Sequence, residues 1–211
     1  MTEIPVRSSR PSRAAARHRE RAGVDRAYLR YAVIGDSSSR GRRSASTSWA
    51  WRLADALARG NALSLCDATR RGATAYDTRR VQLREAVAHR PNLVALTPGL
   101  ADIGRRDWDG DAVRAHLLHC AMVLSQHDAI VLTVRLDPSQ RGLDLIRPTR
   151  SRRRARIESI NGVFAEIERR YGGVHLVPAG RSQSSSRAGR RAEATIERFC
   201  AALGARGFLV G

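Results

Sequence analysis

The chain has 211 residues, 42% of them hydrophobic, which is enough for one domain with a full core and too few for two ordinary ones. No run approaches the ~18 to 20 apolar residues that span a bilayer, and the arginines near the N-terminus are not followed by an apolar stretch, so a soluble, cytoplasmic protein is expected. The formal charge of +18 and the isoelectric point near 11.6 would ordinarily point to a polyanionic partner. The chain contains no lysine, however, so all 38 cations are arginine, a pattern that a GC-rich coding sequence produces whatever the function. Aromatic residues make up only 5%, and none interleave with the arginines as a base-stacking series would.

Residues 1–26 are rich in Arg, Ser and Ala without a sustained apolar period, and read as a basic, disordered arm ahead of one domain over 27–211. From Ala27 onward, short apolar runs alternate with longer segments of helical spacing, the pattern of βαβ units on a parallel sheet. The first strand is Tyr28–Ile34, running into Gly35, Asp36 and Ser37, and a helix follows over Thr47–Arg59. The second strand is Ala62–Cys66; its exit loop carries Arg70, Arg71 and Gly72, and the next helix is Thr78–His89, stopped by Pro91. Leu93–Thr97 is the third strand, with Pro98–Asp102 as its exit loop, then a helix Asp111–Gln126 and the fourth strand Ala129–Val134. A long loop, Arg135–Arg150, is of the kind that covers a site. Helix Ser151–Tyr171, strand Val174–Val177, a Ser/Arg-rich loop Gly180–Arg187 and helix Ala188–Leu203 complete the chain. Five strands with intervening helices predict a three-layer α/β/α sandwich of flavodoxin-like type, whose sites gather at the C-terminal ends of the strands.

Three of those strand-end loops carry a resemblance. The segment YAVIGDSSSRG, Tyr31–Gly41, is similar to the first conserved block of the SGNH/GDSL hydrolases, which places Ser37 at the nucleophile position. RRGATAYDTRRVQL, Arg70–Leu83, resembles the second block and puts Gly72 at the glycine whose N–H meets the oxyanion. PNLVALTPGLADI, Pro91–Ile103, resembles the third: Gly99 and Asp102 correspond, but Ala101 stands where the family has its asparagine. RSQSSSRAGRRAEATIERFCAAL, Arg181–Leu203, has the shape of the family's ending, and aligning Gly189 with the family's glycine puts Arg181 at the catalytic aspartate and Ser184 at the catalytic histidine. The resemblance therefore implies an SGNH-hydrolase fold with an incomplete triad. A serine hydroxyl is a poor nucleophile until a histidine takes its proton and an acid holds the imidazole, and Ser37 lacks both partners.

The remaining candidates have simpler readings. His116 and His119, with Cys120, match no metal-ligand spacing, and neither metal nor cofactor is expected. His175 falls within a strand, His89 at a helix C-terminus and His127 at the opposite end of the sheet from the strand-end loops, while His18 lies on the arm. Cys66, Cys120 and Cys200 are odd in number and lie in apolar stretches, as small buried hydrophobes do. Asp36 and Asp102 are placed to accept backbone N–H bonds and hold their turns. Ser184–Ser186 read as flexible loop. Arg152–Arg156, at a helix start, oppose the helix dipole; a solvated face explains them, with an anionic ligand as the sharper alternative. Three functions stay open: a non-catalytic or very weakly active hydrolase-like protein that binds a small ligand or protein at the strand C-terminal face; an active esterase using another base; or an arginine-rich protein that binds nucleic acid or an acidic partner.

Overall fold

The computed structural model describes residues 28–36, 48–97, 100–138, 149–177 and 185–205. The expected arm, along with Ser37, Gly99, Arg181 and Ser184, lies outside them.

Among the described residues five strands form one parallel sheet: β1 Tyr28–Gly35, β2 Ala62–Asp67, β3 Leu93–Thr97, β4 Ile130–Val134 and β5 Val174–Leu176. Their order is β2-β1-β3-β4-β5, the flavodoxin-like order expected from the alternation of elements. Tyr31 pairs with Leu93 and with Leu65, which makes β1 and β3 central and sets the exits of β1, β2 and β3 side by side. Central strands of a parallel sheet are covered on both faces and so need apolar residues at every position. Tyr31–Ile34 and Leu93–Leu96 meet that need and are all buried.

Among the described residues six helices cover the two faces. On one lie α1, Ser48–Gly60, and α6, Ser185–Gly204; Trp49 of α1 stacks on Phe199 of α6 with ring centroids 5.1 Å apart. On the other lie α2 over 75–88, α3 Leu100–Gly104, α4 Gly110–Gln126 and α5 Arg150–Tyr171. α2 is one continuous helix containing a π-helical segment, Thr78–Gln82. Among the described residues no helix is long and apolar enough to cross a membrane. Cys120 is fully buried, and burial pushes its thiol up to about 12, whereas Cys66 and Cys200 are only half-buried.

Three elements differ from expectation. α2 begins at Ala75 rather than Thr78, because Thr74 and Asp77 form a reciprocal capping box: Asp77 N–H donates to Thr74 Oγ1, and Thr74 N–H to Asp77 Oδ2. The exit of β3, expected as irregular loop, coils into α3, whose C-terminal end is tied down by Arg156. That guanidinium donates to the carbonyls of Ile103 and Arg105, both at 2.7 Å, and lies 5.3 Å from the Trp108 ring centroid. Ser185 and Ser186, expected in a loop, belong to α6.

Candidate functional site

The site is built where β1, β2 and β3 end. Gly35 closes β1 with φ +116°, a conformation open to glycine, and a Cβ there would stand 1.7 Å from the Thr97 carbonyl oxygen. That close approach lets Asp36 N–H donate to Thr97 O at 3.2 Å, so the chain leaves β1 leaning onto β3. Thr97 Oγ1 donates to Ile34 O at 2.8 Å and ties the same two strands one residue earlier. From the other side Gln82, wholly buried in the π segment of α2, clamps the glycine: Gly35 N–H donates to its Oε1, and its Nε2 donates to Gly35 O at 3.1 Å. π segments often mark functional sites, and this one presents a side-chain amide to the peptide just ahead of Asp36 and Ser37.

Two carboxylates hold the β2 exit loop. Asp36, 3% exposed, accepts the Gly72 N–H through Oδ1 at 2.8 Å. Asp102 on α3, 5% exposed, accepts the Ala75 N–H through Oδ2 at 2.8 Å. Arg70 N–H donates to Gly35 O at 3.2 Å, and Gly72 turns the loop with φ +74°. Asp36, Gly72, Ala75 and Asp102, drawn from three sequence-distant segments, thus form one connected unit. Ala101 is half-buried beside it on α3.

The electrostatics are those of buried acids beside a basic rim. Burial raises the Asp102 carboxyl to about 6 against the opposing pull of the Ala75 N–H and the Arg105 charge; Asp77 and Asp36 push it further up. Asp77 moves the other way, lowered by its hydrogen bonds with Thr74. Beyond the unit, Asn161 of α5 clamps the exit of β4, accepting from Leu136 N–H at 2.8 Å and donating to Leu136 O at 3.1 Å.

The five described histidines have other partners. His89 has Nε2 3.2 Å from the Ser64 carbonyl. His175 has Nδ1 2.9 Å from Thr133 Oγ1, and burial lowers its pKa. His116, on α4, has Nδ1 3.3 Å from Arg79 Nη1. His119 is also on α4, and His127 caps the C-terminal end of that helix. Among the described residues no three His, Cys, Asp or Glu side chains are grouped to hold a metal. Of the arginines at the start of α5, Arg153 is buried and Arg156 is spent on the α3 carbonyls, while Arg152 and Arg154 are exposed.

Gln82 and Thr97 were not singled out from sequence, and Arg156 was read there only as one of the Arg152–Arg156 cluster. A glutamine seven residues into a helix carries no motif; the nearest signal was Gly35, whose need for close backbone approach implies that something fixes it.

This arrangement of strand ends defines an SGNH-type α/β hydrolase fold. Residues 33–199 match the GDSL-like Lipase/Acylhydrolase family, and the chain belongs to that family. A search of curated proteins by sequence returns no match. Among solved structures, a catalytic mutant of an acetylxylan esterase from Geobacillus stearothermophilus superimposes with TM-score 0.58 at 13% identity, covering 82% of this chain and 94% of that one. A GDSL-like lipase from Bacteroides thetaiotaomicron gives TM-score 0.55 at 12% identity, covering 88% and 96%. TesA gives 0.54 at 20% identity, covering 78% and 94%.

Proposed function

We propose that this chain is a GDSL-family protein whose catalytic site is incomplete, and that the strand-end face binds a small ligand or a protein without efficient turnover. One observation carries the reading. The segments that follow the five strands, residues 36–47, 68–74, 98–109, 135–149 and 177–184, contain no histidine among the chain's six. Those segments therefore offer no histidine to a nucleophilic serine at Ser37. Arg181 and Ser184 stand at the aligned positions of the acid and the base, and Ala101 at that of the oxyanion amide donor.

The energetics follow. Without its base a serine triad retains only about 10³ to 10⁴ over water. Loss of one oxyanion donor costs about 10² to 10³ more. The Gly72 N–H is also engaged by the Asp36 carboxylate at 2.8 Å, so a developing oxyanion at that amide would have to share or displace a bond to a buried acid. What the fold retains is rigidity: Gln82, Thr97, Asp36 and Asp102 hold the exits of β1 and β2 in one shape, as a binding face needs.

The test is hydrolysis of p-nitrophenyl acetate and of longer acyl esters by the full chain and by Ser37→Ala. Equal rates, with no labelling of Ser37 by an alkylphosphonate, are expected. A rate that depends on Ser37, or stable phosphonylation of it, overturns the reading and reveals an esterase with another base.

A further inference from the structure

On the α2 side of the same rim, Tyr76 follows Ala75, whose amide sits on Asp102, and the residue is 52% exposed. An exposed tyrosine on a helix shoulder is unremarkable alone; its neighbours are not. The Arg80 guanidinium lies 5.9 Å from the ring centroid, and His116 of α4 meets the ring edge-on at 5.5 Å. Arg79 reaches over to His116, and since a guanidinium only donates, Nδ1 is the acceptor and the imidazole is neutral there. Burial first, then the Arg79 charge, lowers the pKa of His116, which keeps the ring neutral at physiological pH.

Arg79 and Arg80 are both exposed, and among the described residues neither carries an ion pair, unlike Arg70, Arg105, Arg114, Arg135 and Arg170. The neighbouring acids serve backbone amides: Asp77 closes the Thr74 capping box, and Asp109 accepts from Asp111 N–H and Ala112 N–H at the start of α4. The patch thus pairs a half-exposed aromatic ring with two exposed guanidinium groups outside any ion pair among the described residues, Arg79 bonded to His116 and Arg80 over the Tyr76 ring, on a chain of net charge +18.

We propose that the patch of Tyr76, Arg79, Arg80 and His116 binds single-stranded nucleic acid, one base stacking on Tyr76 while Arg79 and Arg80 take the flanking phosphates. The aromatic ring decides between partners. An acidic peptide would use the guanidinium groups alone, and a duplex keeps its bases stacked away from a protruding side chain, whereas an unpaired base has a free π-face for tyrosine. The ring escaped the sequence reading because it stands inside a family block, three and four residues ahead of the arginines. On a helix those offsets bring Arg79 and Arg80 onto its face.

The experiment is fluorescence anisotropy of the full chain with a labelled oligothymidylate of about twelve nucleotides, within the usual site size, titrated between about 50 and 200 mM salt. Tyr76→Ala should weaken binding about tenfold or more, with Tyr76→Trp restoring it. Arg79→Gln with Arg80→Gln should make the slope of log affinity on log salt shallower by about 1.4, the value for two phosphate contacts on a single strand. Absence of binding, or an affinity unchanged by Tyr76→Ala, overturns the proposal, the latter leaving only diffuse attraction to arginine. A polyglutamate of equal charge that displaces the oligonucleotide as well as unlabelled oligothymidylate also overturns it and makes the patch an acidic-protein surface. None of these outcomes bears on whether Ser37 is reactive.

Discussion

Asp102→Asn is expected to stabilise this protein at neutral pH and to lose that advantage in acid. Asp102 is 5% exposed, its Oδ2 accepts the Ala75 N–H, and burial lifts its carboxyl from the ordinary 3.8 to about 6. Because the folded-state value is raised, the native chain keeps a proton that the unfolded chain has already lost between about pH 4 and 6. Stability therefore falls as pH rises through that window, and the loss is complete above it. Two units at about 1.4 kcal/mol each make the charged carboxylate cost about 3 kcal/mol at pH 7.5. Asparagine keeps an oxygen for the Ala75 N–H and carries no charge, so it recovers about 1 to 3 kcal/mol, the remainder going to its added N–H. At about 2 to 4 °C per kcal/mol for a domain of this size, the variant melts about 3 to 10 °C higher near pH 7.5 and no higher than the parent near pH 3.5, below both carboxyl values. Far-UV circular dichroism melts across that range measure both. A variant less stable than the parent at neutral pH, or a gap that does not close in acid, would refute the account of Asp102 as a strained clamp.

Two further substitutions probe the same unit. Gly35→Ala puts a methyl group 1.7 Å from the Thr97 carbonyl at φ +116°, and is expected to cost more than about 4 kcal/mol, read as lost soluble yield or a collapsed melting transition; a melt within a few degrees of the parent would contradict the close approach of β1 and β3. Gln82→Ala removes both bonds to the Gly35 peptide from a wholly buried position and should lower stability by about 2 to 4 kcal/mol in urea titration, the cost of stranding two buried polar groups.

Much of the fold was legible because its signals are local. Leu93–Thr97 is a continuous apolar run between Pro91 and Pro98, and the structure gives the same bounds. The start of α2 was legible too and was missed: Thr74-Ala75-Tyr76-Asp77 has the spacing of a capping box with aspartate in the usual glutamate place. α3 could not be read locally, since what secures its end, Arg156, lies 53 residues away from Ile103. The roles of Asp36 and Asp102 were half visible. That each would accept a backbone amide follows from a short carboxylate at a turn, but that both would hold the same loop depends on the adjacency of β1, β2 and β3. Arg156, read from sequence within a cluster hinting at an anionic ligand, has an internal task that only tertiary structure discloses.

The central claim, that this family fold has an incomplete catalytic site, is tested most directly by repair. Arg181→Asp, Ser184→His and Ala101→Asn together return the acid, the base and the third oxyanion donor at their aligned positions; they are made together because triad members act as a unit. Ester hydrolysis by the triple variant is predicted to rise about 10² to 10³ above the parent, short of full activity because a site loose by ~1 Å loses much of its rate, and adding Ser37→Ala should abolish the gain. A folded triple variant with a histidine beside Ser37 and no gain in rate would contradict the claim.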